Sequence, residues 1–209
     1  MLAGIEEIGI IPAARFSSAD DALFASRTLF SAGIPIVEIT MTTPGAAGVI
    51  SELTGESKEV IVGAGTVLDL DTARICLDAG AAFLTSPGLD LEILAFALKH
   101  DVPMIPGALT PTEVMMARKA GADFIKVFPC SSVGGASYIR SLKGPFPHIR
   151  LIASGGVNQR TVGEFIHAGA SAIGVGRELL PHKAISLKSQ DWIRELARRF
   201  LGMVKEARA

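Results

Sequence analysis

The chain has 209 residues, 20 basic against 21 acidic side chains, 49% hydrophobic and 20% charged residues, and a mean hydropathy of +0.42. This excludes a disordered chain, which would be poor in apolar residues, and a coiled coil, for which 22 glycines are too many. A net charge of −1 gives no field that would draw the chain to nucleic acid or anionic lipid. No uncharged run approaches the roughly 18 residues of a spanning helix. No nucleic-acid or membrane partner is therefore expected. Cys76 and Cys130 are too few for a disulfide framework. The opening MLAGIEEIGIIP lacks the basic cluster of a secretory leader, so a reducing cytoplasm is the expected compartment. An aliphatic, Ala-rich excess with only 6% aromatics suits a parallel sheet under helices.

Eight strands are expected in chain order, over 9–15, 34–41, 59–66, 82–86, 103–107, 123–128, 150–154 and 172–176. Each is a short apolar run. Helix starts follow several of them. Ser18 to Asp21 resembles a capping box. Thr43-Pro44 and Thr110-Pro111 place a cap before a proline at the first helical position, and Glu113 completes a box. A last helix over about 191–206 carries Ile193, Leu196, Phe200 and Val204 at helical spacing.

The turns before alternate strands repeat. Ser-Ala-Gly ends at Gly33, Asp-Ala-Gly at Gly80, Lys-Ala-Gly at Gly121 and His-Ala-Gly at Gly169. Glycine there reads as the left-handed residue that ends a helix. The intervals are 47, 41 and 48 residues, each two strand–helix units. Even spacing, and no GxGxxG after the first strand, favour a closed (β/α)8 TIM barrel over an open doubly wound sheet. The expected class is α/β, with one domain over 1–209. In such a barrel function sits at the carboxyl ends of the strands.

Polar residues inside apolar strands mark candidates. In Phe124-Ile125-Lys126-Val127-Phe128, alternation puts Lys126 on one face with two phenylalanines. Desolvation there favours the neutral amine that attacks a ketone to form a Schiff base. The alternative is a lysine whose stem packs while its head reaches solvent. In the strand around Glu38, Val37, Ile39 and Met41 share one face, and Glu38, Thr40 and Thr42 the other. The apolar face belongs under the helices, so Glu38 points into the barrel as a general acid/base, or as a structural partner of Lys126. Gly63-Ala64-Gly65-Thr66 offers small residues and a hydroxyl at the end of the third strand, or simply tight packing. Ser154-Gly155-Gly156-Val157 and Gly174-Val175-Gly176-Arg177 follow strands seven and eight, where barrels bind phosphate; the alternative is turn glycines with a solvated arginine. His100, His148, His167 and His182 are scattered without metal-ligand spacing, and His148 and His182 are expected at the surface. Cys130 has no histidine evidently placed to activate it.

In order along the chain stand IVEIT, VGAGTV, TSPG, MIPGALTPTE, FIKVFP, LKGPFP and SGGV. This set resembles the bifunctional 2-keto-3-deoxy-6-phosphogluconate / 4-hydroxy-2-oxoglutarate aldolase family over nearly the whole chain. The resemblance implies a class I aldolase, a homotrimeric barrel acting on a keto acid without metal or other cofactor. It implies Lys126 as the Schiff-base lysine, Glu38 as the proton-transferring glutamate and Thr66 as a pyruvate contact. Pro87 and Phe128 match the pyruvate pocket, and Gly155 and Gly156 the phosphate-side loop. Three positions depart from the family pattern. Thr42 stands where many members carry a carboxylate-binding arginine, and Arg15, at the end of the first strand, is read as its replacement. Arg177 stands in place of a serine beside Gly176, and Ser154 in place of a threonine. Rival readings are an aldolase for the galactonate epimer, a phosphate-binding isomerase or epimerase on the same barrel, and a barrel that only binds a keto acid or phosphate.

Overall fold

The computed structural model describes residues 2–209; Met1, the first residue of the expected 1–209 unit, lies outside the described residues. Nine parallel strands form one sheet. They are β1 (Ile10–Ala14), β2 (Ile36–Thr40), β3 (Ile61–Gly65), β4 (Phe83–Thr85), β5 (Met104–Ile105), β6 (Gly107–Ala108), β7 (Phe124–Val127), β8 (Arg150–Ser154) and β9 (Ala172–Val175). β5 pairs with β4 and β6 with β7, and only Pro106 separates them. They are the two halves of the expected fifth strand, broken where proline supplies no N–H. Pro106 still accepts from Lys126 N–H at 2.9 Å, so the ring of eight strands closes through it. The architecture is the (β/α)8 barrel.

The helices α2 (Ala19–Ser31), α3 (Ala46–Glu56), α4 (Leu70–Asp78), α5 (Leu91–Lys99), α6 (Pro111–Lys119), α7 (Ala136–Lys143) and α8 (Val162–His167) follow successive strands, with α10 (Gln190–Arg208) last. Two further pieces are α9 (His182–Ser186) and α1 (Leu2–Ile8). The sequence reading gave no helix at α1, which has no capping signal. It packs on β1 and β9 with Ile5 fully buried. No helix among the described residues is long and apolar enough to cross a membrane.

The four repeat glycines share one conformation. Gly33, Gly80, Gly121 and Gly169 have φ of 88°, 87°, 103° and 99°. After each, the next N–H reaches back five residues: Ile34 to Leu29 O, Ala81 to Cys76 O, Ala122 to Ala117 O and Ala170 to Phe165 O, at 3.0–3.1 Å. This is the Schellman closure of α2, α4, α6 and α8. The closures lead directly into β2, β4, β7 and β9, alternate strands of the eight-stranded ring.

Caps at the other end divide. Thr110 and Glu113 make the full reciprocal box on α6, and hydrogen bonds from the Leu109 and Thr110 N–H groups hold the Glu113 carboxyl below its ordinary value. Ser18 accepts from Asp21 N–H, but Asp21 turns to Ser17 and Lys188 rather than back to the cap, so the box is half made. Thr43-Pro44 does not start α3. Gly45, at φ 72°, is the N-cap, and Thr43 is buried with its hydroxyl accepting from Phe16 N–H at 3.2 Å. Thr43 therefore ties two loops at the barrel mouth instead of capping a helix. Thr110→Ala should lower stability by about 1 kcal/mol, read from the urea midpoint at unchanged slope.

Candidate active site

In a barrel of this type inward side chains stack in layers of four taken from alternate strands. The strands tilt, so residues at one height are found by moving one strand sideways and one residue onward through the observed register. From Glu38 this passes through β3 to Thr85, through the fifth strand to Lys126, and through β8 to Gly174. These four form the central layer. Below it lie Ile11, Gly63, Ile105 and Ile152, then Ile36, Phe83, Phe124 and Ala172, a floor without charge. Above it lie Ala13, Gly65, Gly107 and Ser154, then Thr40, Pro87, Phe128 and Gly176.

The upper layers are nearly free of large side chains, and the barrel opens there into a cavity of about 770 Å³. Lys126 and Glu38 lie on its wall, with Nζ 3.8 Å from Oε1. Glu38 is 3% exposed. The Phe128 ring centroid stands 5.5 Å from Nζ. Glycine makes room for the carboxylate: a Cβ on Gly65 would come within 2.0 Å of Glu38 Oε1. Gly107 does the same for the loop after β4, since its Cβ would meet the Pro87 carbonyl at 2.2 Å.

Thr66 turns the chain at the end of β3 with φ 60°. That region is uncommon for any side chain and an outlier for a β-branched one. Asp101 and Lys188 are the other non-glycine residues with positive φ among those described, and both are exposed turn residues. Thr66 lies on the cavity wall, where strain of about 1–3 kcal/mol is held by the bonds on either side of it. Met41 donates to Gly65 O at 2.8 Å and Val67 to Thr85 O at 3.1 Å.

Arg15, Pro87, Ser154, Gly155, Gly156, Gly176 and Arg177 line the same cavity as Lys126, Glu38, Thr66 and Phe128, whereas Thr42 and Cys130 do not. Arg15 and Arg177 are exposed at the mouth, where Glu178 is the acidic neighbour. Gly155 and Gly156 have φ of 87° and 82°, and a Cβ on Gly156 would sit 2.3 Å from Ser131 Cβ, so packing as well as access requires glycine. Thr42, beyond the strand end, is exposed and bonds to Thr40. Cys130 is buried, its thiol pushed up to about 11 by desolvation and donating to Gly135 O, so it is no nucleophile at neutral pH. Among the described residues no group of three or more His, Cys, Asp and Glu is placed to hold a metal ion.

The sequence reading missed several wall residues. His182 is exposed as expected, yet it lies on the cavity wall with Ile185, both brought there by α9. Ser17 and Asn158 also line the wall, and loop polar residues carry no signal that would set them apart. Thr85, in the central layer but not among the residues that line the cavity, was missed although a signal exists. Glu38, Thr85, Lys126 and Gly174 each stand five residues after a repeat glycine.

A family model for aldolases of the KDPG and KHG type matches residues 3–196. The 2-dehydro-3-deoxy-phosphogluconate aldolase of Treponema pallidum is 31% identical over 201 residues, 96% of this chain and 95% of that protein. The enzyme of the same name from Pseudomonas aeruginosa is 33% identical over 204 residues, 97% of this chain and 92% of that protein. The crystal structure of KDPG aldolase from Legionella pneumophila, with pyruvate captured at low pH as a covalent carbinolamine intermediate, has a TM-score of 0.87 at 30% identity, covering 93% of this chain and 95% of that one. The chain belongs to the KDPG and KHG aldolase family.

Proposed function

We propose that the chain is a class I aldolase. Its reaction splits 2-keto-3-deoxy-6-phosphogluconate into pyruvate and glyceraldehyde 3-phosphate, and/or 4-hydroxy-2-oxoglutarate into pyruvate and glyoxylate. The observation that carries this is the Lys126–Glu38 pair, 3.8 Å apart, set into the wall of the cavity at the carboxyl ends of the strands. The related Legionella enzyme, with its pyruvate carbinolamine, supports the covalent step.

The steps use these two side chains. Lys126 gives a proton to Glu38 and its neutral amine adds to the C2 ketone; Glu38 returns that proton to the carbinolamine hydroxyl, which leaves as water to give a protonated imine and the free carboxylate. Glu38, through a water molecule, takes the C4 hydroxyl proton. The O–H electrons become the new C4 carbonyl, the C3–C4 bond breaks, and its electrons pass through C2 to nitrogen as an enamine. The aldehyde leaves. Glu38 returns a proton to C3, and water hydrolyses the pyruvate imine to release the acid and the free amine. Arg15 and Thr66 hold the pyruvate carboxylate, with Pro87 and Phe128 against its apolar side. Ser154, Gly155, Gly156, Gly176 and Arg177 take the distal anion, since backbone N–H groups and a guanidinium suit phosphate or carboxylate equally.

The reading extends to a cytoplasmic homotrimer. Exposed Ile75 on α4, Leu91 and Leu98 on α5, and Met115 and Met116 on α6 support self-association, because such side chains are costly in water.

Borohydride added in the presence of pyruvate should leave a reduced pyruvyl adduct on Lys126, located by mass spectrometry. Lys126→Arg should give neither adduct nor cleavage, because a guanidinium stays protonated. Turnover in that variant would overturn the imine mechanism. Gly65→Ala pushes a methyl into the Glu38 carboxylate. Cleavage should fall about a hundredfold while the Lys126 adduct still forms. Wild-type turnover there would show that Glu38 does not act from this position.

A further inference from the structure

Among the described residues one buried side-chain oxygen has no hydrogen-bond partner, Thr85 Oγ1. Thr85 is 1% exposed. It ends β4, two residues beyond Phe83, whose ring lies where a Cβ on Gly63 would be. Phe83 thus faces the barrel interior, and alternation turns Thr85 inward as well. The register puts it at the height of Glu38, Lys126 and Gly174. On β3 its neighbour is Gly65, over which Glu38 Oε1 lies. A buried hydroxyl without a partner costs stability, and an apolar side chain of the same shape would not. The position therefore keeps a polar atom at a cost, beside the base.

We propose that Thr85 is a positioning residue for Glu38, its hydroxyl becoming the hydrogen-bond donor to the carboxylate once Lys126 is an imine. This rests on the lysine-imine reading. The argument is a count of donors. The Lys126 ammonium presents three N–H groups to a carboxylate 3.8 Å away. The protonated imine keeps one, and substrate carbon takes the place of the others. Glu38 still faces the imine charge, but two of the three N–H groups that the ion pair offered are gone at the step where the carboxylate must be aimed at the C4 hydroxyl. Gly174 has no side chain, so Thr85 is the one further side-chain donor in the layer beside the imine N–H. A hydroxyl donates to the carboxylate and accepts from the carboxylic acid that Glu38 becomes, so it serves before and after proton transfer. No bond to Thr85 forms or breaks.

The test compares Thr85→Val, which keeps the shape, with Thr85→Ser, which keeps the hydroxyl. Three quantities are read: the Lys126 pyruvyl adduct, exchange of the pyruvate methyl protons in D2O by NMR, and kcat and KM for cleavage. In Thr85→Val the adduct should form as in wild type. Methyl exchange and kcat should each fall about tenfold, the worth of one hydrogen bond to a charged group. KM should stay within about twofold, and the melting temperature should not fall, since the variant loses an unpaired buried hydroxyl. Thr85→Ser should recover most of the exchange rate. Wild-type exchange and kcat in Thr85→Val would overturn the role, as would an equal loss in Thr85→Ser. A wild-type chain that forms no adduct would overturn the imine reading itself, and this role with it.

Discussion

The sideways offset between neighbouring strands is the constraint on which the site depends. Straight across the ladder, Glu38 pairs with Gly63 and Gly63 with Phe83. Without the tilt of a closed barrel, the base would face a phenylalanine. With it, Phe83 drops two layers below Glu38 and Thr85 rises to the height of Glu38. The same offset lifts Lys126 to that height from four strands away and leaves Gly174 opposite Thr85. A charged pair 3.8 Å apart is thus built from residues 88 positions apart in the chain.

Such a pair does little for the stability of the fold. Removing two charges from water costs about as much as their attraction returns, and well-packed apolar residues often do better. The neighbouring layers show how the cost is offset. Beneath the pair, Ile105, Ile152, Phe83 and Phe124 are almost fully buried and form a dry floor. Above it, Gly65 and Gly107 contribute no side chains, and Gly174 none beside it, so a substrate can approach and the carboxylate has space. The unpartnered Thr85 hydroxyl stands in the layer of the pair, and the left-handed Thr66 above it at the end of β3. Strain and unsatisfied polarity therefore gather in the layers that line the cavity, while the layers below and the packed helices hold the barrel closed.

Much of this was legible in the residues. All eight strands announced themselves as apolar runs between turns, and Lys126 and Glu38 stood out because a charge in such a run is unusual. Boundaries were harder where one residue outweighs a pattern. Pro106 splits the fifth strand because it has no N–H to give. Gly45 takes the cap that Thr43-Pro44 seemed to offer, because its left-handed backbone starts α3 two residues later. The helix α1 gave no warning, since its only strong feature is Ile5 packed against the barrel. His182 and Thr85 were missed for a different reason. Exposed histidines and strand threonines are common, and only their place in three dimensions separates these two from the rest.

That place was nonetheless written in the repeat. Each Schellman closure fixes how the chain leaves an even-numbered helix, with φ near +90° at the glycine and one hydrogen bond back to the fifth preceding carbonyl. The chain then enters the next strand from the same height each time, and a strand advances a constant distance per residue. The fifth residue after the glycine must come to one level in all four repeats, whatever its identity. The four turns thus act as a common ruler, and four different residues, Glu38, Thr85, Lys126 and Gly174, are read off at the same mark. Backbone closure at the amino ends of the strands sets the height, and side-chain choice at the mark sets the chemistry. The two are separable, because no side chain in the central layer takes part in closing a helix. A barrel built this way can exchange its central four residues without disturbing the repeat that positions them.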